Sequence, residues 1–237
     1  MKIKIIFDKG ALNKKLCTGW GVSILINDKV LFDTGGNGEC LLKNMRLLKV
    51  DTKKIEAFII SHDHWDHWGG LWHAIGGRKG VKVYICQGFS DEFKTRAEAF
   101  KVKLIELDGP VQIFKNIFIT GGMPGTYGRM RLFEQAVLLR TKNGITIITG
   151  CAHPGIDTML RTVKRYYPDE SLYLALGGFH LKNTDAETIE EIIRKCRELG
   201  VKKVGPIHCS GEIAENAFKK HYGNNFLAAQ AGWEIAV

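Results

Sequence analysis

Ser61 to Gly70 reads SHDHWDHWGG. Three histidines and two aspartates crowd into positions 62–67, interleaved with the large Trp65 and Trp68. A buried strand would not carry that polarity, and a solvated loop has little use for indoles. Metal ligation accounts for both. In an extended segment residues two apart point the same way, so His62 and His64 can grip one ion. A helix starting near Asp66 would send Asp66 and His67 in other directions, toward a second ion. Neutral imidazole with carboxylate suits zinc, and also iron or manganese. Gly69 and Gly70 permit the close backbone approach that such a tight turn requires. Trp65 and Trp68 are expected to pack over the ligands as a dry shell.

The stretch grows out of a strand. Residues 55–61, IEAFIIS, are a short and nearly all-apolar run, the mark of a strand buried on both faces. Upstream, WGVSILINDKVLFDTG (20–35) reads as two strands around an Asn27-Asp28 turn, and ECLLKNMRLLK (39–49) has helical spacing. VKVYIC (81–86) and VKLIEL (102–107) are further strands, with a helix over DEFKTRAEAF between them. The second half repeats one pattern three times. ITIITG runs into Cys151 and His153, then the helical IDTMLRTVKRYY. LYLALGG runs into His180, then AETIEEIIRKCREL, capped by Thr184 or Asp185. VKKVGPI runs into His208 and Cys209, then EIAENAFKKHY. Side chains that do chemistry in α/β folds gather at strand carboxyl ends, where the next helix start presents free N–H groups. The glycine-rich GGMPGTYG (121–128) fits no nucleotide-binding spacing and is expected to be a flexible surface loop or a lid.

With 237 residues, 45% of them hydrophobic, and no linker or low-complexity tract, the chain suits a single α/β domain over 1–237. No apolar run approaches the roughly 18 residues of a spanning helix, so no membrane partner is expected. The opening MKIKIIFDKG lacks the apolar stretch and cleavage site of a signal peptide and reads as the first strand of a cytoplasmic protein. In that compartment the six cysteines, none in a C-x-x-C pair, are expected to be free and mostly buried, Cys209 among them. The net charge of +9 favours an anionic partner, such as a small phosphorylated substrate. Its lysines and arginines are scattered, however, and no basic stripe interleaved with aromatics marks a nucleic-acid surface. His73 and His221 lie on helical stretches and read as surface or packing residues.

SHDHWDHWGG resembles the H-x-H-x-D-H signature of the metallo-β-lactamase superfamily, and LFDTGG (31–36) resembles its early strand. TGCAHPGI, GGFHL and PIHCSG are similar to one branch, metal-dependent hydrolases that include the archaeal dihydropterin-ribofuranosylaminobenzene-phosphate synthases. The resemblance covers the whole chain. It implies an αββα sandwich of the metallo-β-lactamase type, two mixed sheets flanked by helices, with two divalent metal ions at one edge. Zinc is the first choice of metal, iron or manganese the next. His62 and His64 would hold the first ion, and Asp66, His67 and His208 the second. The middle of the chain departs from the family pattern. The histidine usual in a P-G-H-T-like stretch is missing from GGMPGTYG, and Cys151 stands where a bridging aspartate is expected. Either His153 replaces the missing ligand, the favoured assignment, or Cys151 takes the bridging place with His153 nearby. Asp33 would orient a ligand histidine from behind. His180 stands in a connection where related nucleases carry a proton donor; a metal ligand and a helix cap are its other readings.

The activity so implied is that of a binuclear metal-dependent hydrolase of phosphoesterase type. Two ions roughly 3.5–4 Å apart would activate a bridging water, and the metal-bound hydroxide would attack a small phosphorylated or anionic ester. Asp66 would help orient that hydroxide and His180 would protonate the leaving group. A rival within the branch is a transferase joining a dihydropterin-methyl group, from its diphosphate, to a ribofuranosylaminobenzene phosphate. A non-catalytic metal-bearing ligand sensor is the third reading, against which the nearly complete ligand set counts.

Overall fold

A computed structural model describes residues 1–237. Its first strands are β1 (Lys2–Phe7), β2 (Ser23–Ile26), β3 (Val30–Phe32), β4 (Ala57–Ile59), β5 (Lys82–Cys86) and β6 (Lys103–Leu107). Then come β7 (Val111–Phe114), β8 (Ile117–Ile119), β9 (Met123–Tyr127), β10 (Met130–Glu134) and β11 (Val137–Thr141). β12 (Gly144–Thr149), β13 (Leu172–Gly178), β14 (Lys203–Ile207) and β15 (Glu234–Ala236) complete the strands. The helices are α1 (Gly38–Leu47), α2 (Trp65–Trp68), α3 (Leu71–Ile75), α4 (Asp91–Ala99), α5 (Ile156–Tyr166), α6 (Ala186–Glu198) and α7 (Glu212–Tyr222). None is long and apolar enough to cross a membrane. The chain divides into two compact units, Met1–Gly109 with Gln230–Val237, and Pro110–Ala229.

The first unit is built on a seven-stranded sheet in the order β15-β1-β2-β3-β4-β5-β6. The pairs from β15 to β3 are antiparallel and those from β3 to β6 parallel. Asn27 and Asp28 join β2 to β3 with φ of 50° and 57°, the left-handed pair that a tight hairpin demands and that short polar side chains tolerate. Each parallel step needs a crossover, supplied by α1, by α2 with α3, and by α4. Asn37 caps α1 by accepting from the Cys40 N–H, and Ser90 caps α4 by accepting from the Phe93 N–H. Leu41, Met45 and Phe93 turn inward from these helices and are buried. In the parallel register Phe32 lies opposite Ile59, so the chain leaves β3 and β4 side by side at Asp33 and Ser61.

The second unit repeats that plan. Its six-stranded sheet runs β14-β13-β12-β11-β8-β7, antiparallel from β7 to β12 and parallel from β12 to β14. α5 and α6 are the crossovers, and the apolar faces of α5, α6 and α7 share one core through Leu160, Val163, Ile189, Ile193, Ala214 and Phe218. Asp185, and not Thr184, caps α6. The parallel register sets Thr149 beside Gly177 and Gly178 beside Ile207, which brings three strand ends to one edge. Both units therefore carry a mixed sheet flanked by helices.

Two expectations fail. Residues 121–128 are not an irregular loop: β9 and β10 pair from Met123↔Glu134 to Tyr127↔Met130 as a separate two-stranded sheet. The cysteines are not all free either. Cys17 and Cys40 form a disulfide, while Cys86, Cys151, Cys196 and Cys209 are free and buried. The Asn44 amide on α1 donates to the carbonyls of Ile6 and Cys17 and accepts from the Cys17 N–H, which ties the 8–19 loop to the helix that carries Cys40. That long-range tether leaves no mark on cysteine spacing.

Candidate functional site

In the first unit β4 leads into Ser61, His62 and His64, and α2 begins at Trp65, carrying Asp66 and His67. His62 and His67 are fully buried and Asp66 nearly so. Behind them lies Asp33, also fully buried, held in the left-handed region at φ 52° just past β3. Aspartate tolerates that region better than most residues do, and the surrounding contacts hold it there. One Asp33 carboxylate oxygen accepts the Ser61 N–H at 2.7 Å. The other meets the Ser61 hydroxyl and His67 Nδ1, each at 2.7 Å.

These contacts set two tautomers at once. A carboxylate only accepts, so His67 Nδ1 carries its hydrogen and Nε2 keeps a lone pair. The Ser61 hydroxyl gives its single hydrogen to Asp33, so at 2.9 Å from His62 Nδ1 it can only accept. His62 Nε2 therefore also presents a lone pair, 3.0 Å from His64 Nδ1. The Asp66 carboxylate stands 3.5 Å from His67 Nε2. Outward-facing lone pairs beside a carboxylate, with the opposite ring nitrogens hydrogen-bonded behind, are what a divalent cation requires. Asp63 turns elsewhere and accepts the Ser90 N–H at the start of α4.

The glycines make the turn possible. A Cβ on Gly70 would lie 2.3 Å from the Thr34 carbonyl oxygen, and one on Gly69 2.7 Å from that of Gly36. Of the tryptophans, Trp68 is buried and packs against Phe93. Trp65 does not form the expected dry cover: its ring lies against Gly36 and stays 57% exposed. At the first position of a short helix it points away from the buried face that Asp66 and His67 occupy.

In the second unit the ends of β12, β13 and β14 deliver Cys151 with His153, His180, and His208 with Cys209. Cys151, His153, His208 and Cys209 are buried, whereas His180 is exposed. The His153 and His180 rings lie 4.3 Å apart. Cys151, His153 and His180 offer ligand atoms within 4.8 Å of one another, as do Cys151, His208 and Cys209. His180 and His208 adopt φ of 53° and 52°, and Ala152 one of 59°. Gly178 permits this packing, since a Cβ there would lie 2.7 Å from the Cys209 sulfur and 2.2 Å from the Gly150 carbonyl oxygen. Burial pushes the Cys209 thiol up, yet hydrogen bonds with Cys151 and His180, and the charges of His208 and His180, outweigh it and hold the thiol well below its ordinary value.

The organiser of this half escaped the sequence reading. Glu134, at the end of β10 and fully buried, accepts four successive backbone N–H groups. One oxygen takes Gly150, Cys151 and Ala152 at 3.2, 2.8 and 2.9 Å, and the other takes His153 at 2.8 Å. Its only sequence signal is an acid amid the apolar residues of FEQAVLL, which surface glutamates share. Ser61 likewise reads in the sequence as an ordinary strand residue. His73 is exposed on α3, and His221 pairs with Glu190 at 2.6 Å, so both stand apart from these clusters.

Comparison with known proteins supplies a frame for these two clusters. A family model described as the metallo-β-lactamase superfamily matches residues 21–206. A 7,8-dihydropterin-6-methyl-4-(β-D-ribofuranosyl)-aminobenzene-5′-phosphate synthase of Methanocaldococcus jannaschii is 29% identical, over 95% of this chain and 92% of that protein. The structure of Tm1679, described as a metal-dependent hydrolase of the β-lactamase superfamily, is 30% identical with a TM-score of 0.85, covering 100% of this chain and 99% of that one. Human tRNase Z, short form, shares the fold at 14% identity and a TM-score of 0.62, covering 100% of this chain and 99% of that one.

Proposed function

The chain belongs to the metallo-β-lactamase superfamily, and on that premise we propose that it is a binuclear metal-dependent hydrolase of small phosphorylated or otherwise anionic esters. His62, His64 and His153 would hold one divalent ion, and Asp66, His67 and His208 the other; in the alternative assignment Cys151 takes the bridging place with His153 nearby. Zinc suits this imidazole-rich set. When bound, such ions generate a nucleophile at neutral pH and neutralise charge on the ester oxygen. The chain's own residues do the rest. Asp33 and Ser61 keep the ligand nitrogens of His67 and His62 free of hydrogen, so no proton has to leave before a cation binds. Asp66 orients the attacking oxygen. His180, the one exposed histidine of its cluster, donates a proton to the departing group. The surplus of positive charge draws in an anionic substrate.

One observation carries this reading: Asp33 orients two histidines of the H-x-H-x-D-H stretch at the same time, a device of no use to a mere polar loop. The test is elemental analysis of freshly purified protein followed by a phosphoesterase panel with the metal so identified. Two equivalents of metal and turnover abolished by His64→Ala are expected. Full activity without metal would overturn it.

A second reading rests on the resemblance to the M. jannaschii synthase over nearly the whole chain. In it the same ions would stabilise a departing diphosphate while a dihydropterin-methyl group passes to an arylamine. Coupling of those two substrates, with release of diphosphate and no phosphoesterase activity, would favour it.

A further inference from the structure

We infer that the β9–β10 hairpin is the substrate-recognition element beside His153 and His180, and that Tyr127 and Met130 form a ledge for a planar unsaturated ring on the leaving-group side. This deepens the hydrolase reading and rests on it. Directly paired residues of an antiparallel ladder share a face, so Met123, Gly125 and Tyr127 share one with Glu134, Leu132 and Met130. That face is turned to the 150–154 segment. At its foot Glu134 takes the four N–H groups of residues 150–153. At its middle a Cβ on Gly125 would lie 2.8 Å from the His153 backbone, so the strand presses on the histidine's own chain.

At the tip Tyr127 meets His153 edge-on, with ring centroids 5.7 Å apart and planes at 87°. It meets His180 at 6.0 Å and 69°. Despite these contacts Tyr127 remains 48% exposed and its cross-strand partner Met130 63% exposed. Tyr127 thus overhangs the histidine pair, Met130 flanks it across the ladder, and both keep much of their surface open, though bare apolar surface has a hydration cost. A phenol ring and a thioether both bind the face or edge of a flat ring and offer nothing specific to an alkyl chain. The contact with His180, the proton donor, places that ring on the departing side of the ester.

The test is calorimetric titration of the zinc-loaded full-length protein with methylphosphonate, phenylphosphonate and 1-naphthylphosphonate. Wild type is expected to bind the naphthyl compound about tenfold more tightly than the methyl one. The Tyr127→Ala/Met130→Ala double variant should bind all three within about twofold, with methylphosphonate affinity unchanged. Tyr127→Phe should keep the preference. A wild type without ring preference, a preference that survives in the double variant, or binding of none of the three would overturn the ledge. A hydrolysis panel run alongside separates the two proposals. Flat binding with efficient hydrolysis sinks the ledge alone, whereas ring-selective binding lost in the double variant, without hydrolysis, sinks the hydrolase reading and upholds the ledge.

Discussion

The two units place ligand-type side chains at strand ends by different physical means. In the first, every candidate ligand lies in one stretch, 62–67, and its orientation comes from a side-chain relay of Asp33, Ser61 and two imidazoles. In the second, the candidates come from three separate strand ends, and their placement comes from the backbone. Glu134 gathers the N–H groups of 150–153, and His180 and His208 sit in left-handed conformations. The contrast teaches that ring orientation is fixed by hydrogen bonds to the ring, whereas position is fixed by hydrogen bonds to the chain. The first unit should therefore fail chemically when disturbed, and the second should fail structurally.

The largest effects should follow removal of a proposed ligand. His64→Ala, or chelation of the wild type, is expected to abolish turnover, with metal affinity falling by more than the roughly 10–100-fold typical of supporting groups. Atomic absorption and activity measured together check this. Next comes His180→Ala, expected to lower kcat by about 10²–10⁴-fold and flatten the alkaline limb of the pH–rate profile, with metal content unchanged. Loss of metal in that variant would turn the proton donor into a ligand.

The contrast between the units is sharpened by pairing Asp33→Ala with Glu134→Ala. The first should weaken metal binding by about 10–100-fold, read by competition with a chromophoric chelator. The second strands up to four buried donors, and at about 1–3 kcal/mol for each donor left unsatisfied, allowing for partial relief by water, should remove about 3–5 kcal/mol of stability. Denaturant unfolding measures that loss, and equal stability losses in the two variants would erase the distinction. Ser61→Ala should act as a weaker Asp33→Ala, because His67 keeps its direct carboxylate contact while His62 loses its relay.

The smallest effect lies away from either cluster. The Thr188 backbone N–H, then its hydroxyl, hold the Asp185 carboxyl below its ordinary value. A lowered folded value means that this cap contributes fully above the ordinary carboxylate range and is lost as pH falls through the lowered value. Amides in the first turn of α6 should then lose protection, measured against their intrinsic exchange rates, as the solution is acidified.

Much was legible in the chain because local physics wrote it there. The Asn27-Asp28 turn needs residues that accept positive φ, and the cap Asp185 stands directly before apolar spacing of helical period. The strand-end histidines could be read because a buried apolar run that stops at a histidine before a helix is visible within a dozen residues. Residues 121–133 could not be read in the same way: Gly121, Gly125 and Gly128 mask the alternation, and the hairpin is held by Glu134 reaching a segment some sixteen residues further on.

The sequence alone determined the family, the H-x-H-x-D-H stretch and the alternation of strands with helices, since these depend on neighbours along the chain. Tertiary structure alone decided that Asp33 sets two tautomers, that of His67 directly and that of His62 through Ser61, that Glu134 gathers the 150–153 backbone, that Cys17 meets Cys40, and that Trp65 faces outward. Each of those depends on which strand lies beside which, and in what register. Burial enforces that choice over the whole sheet, and no short window of residues records it.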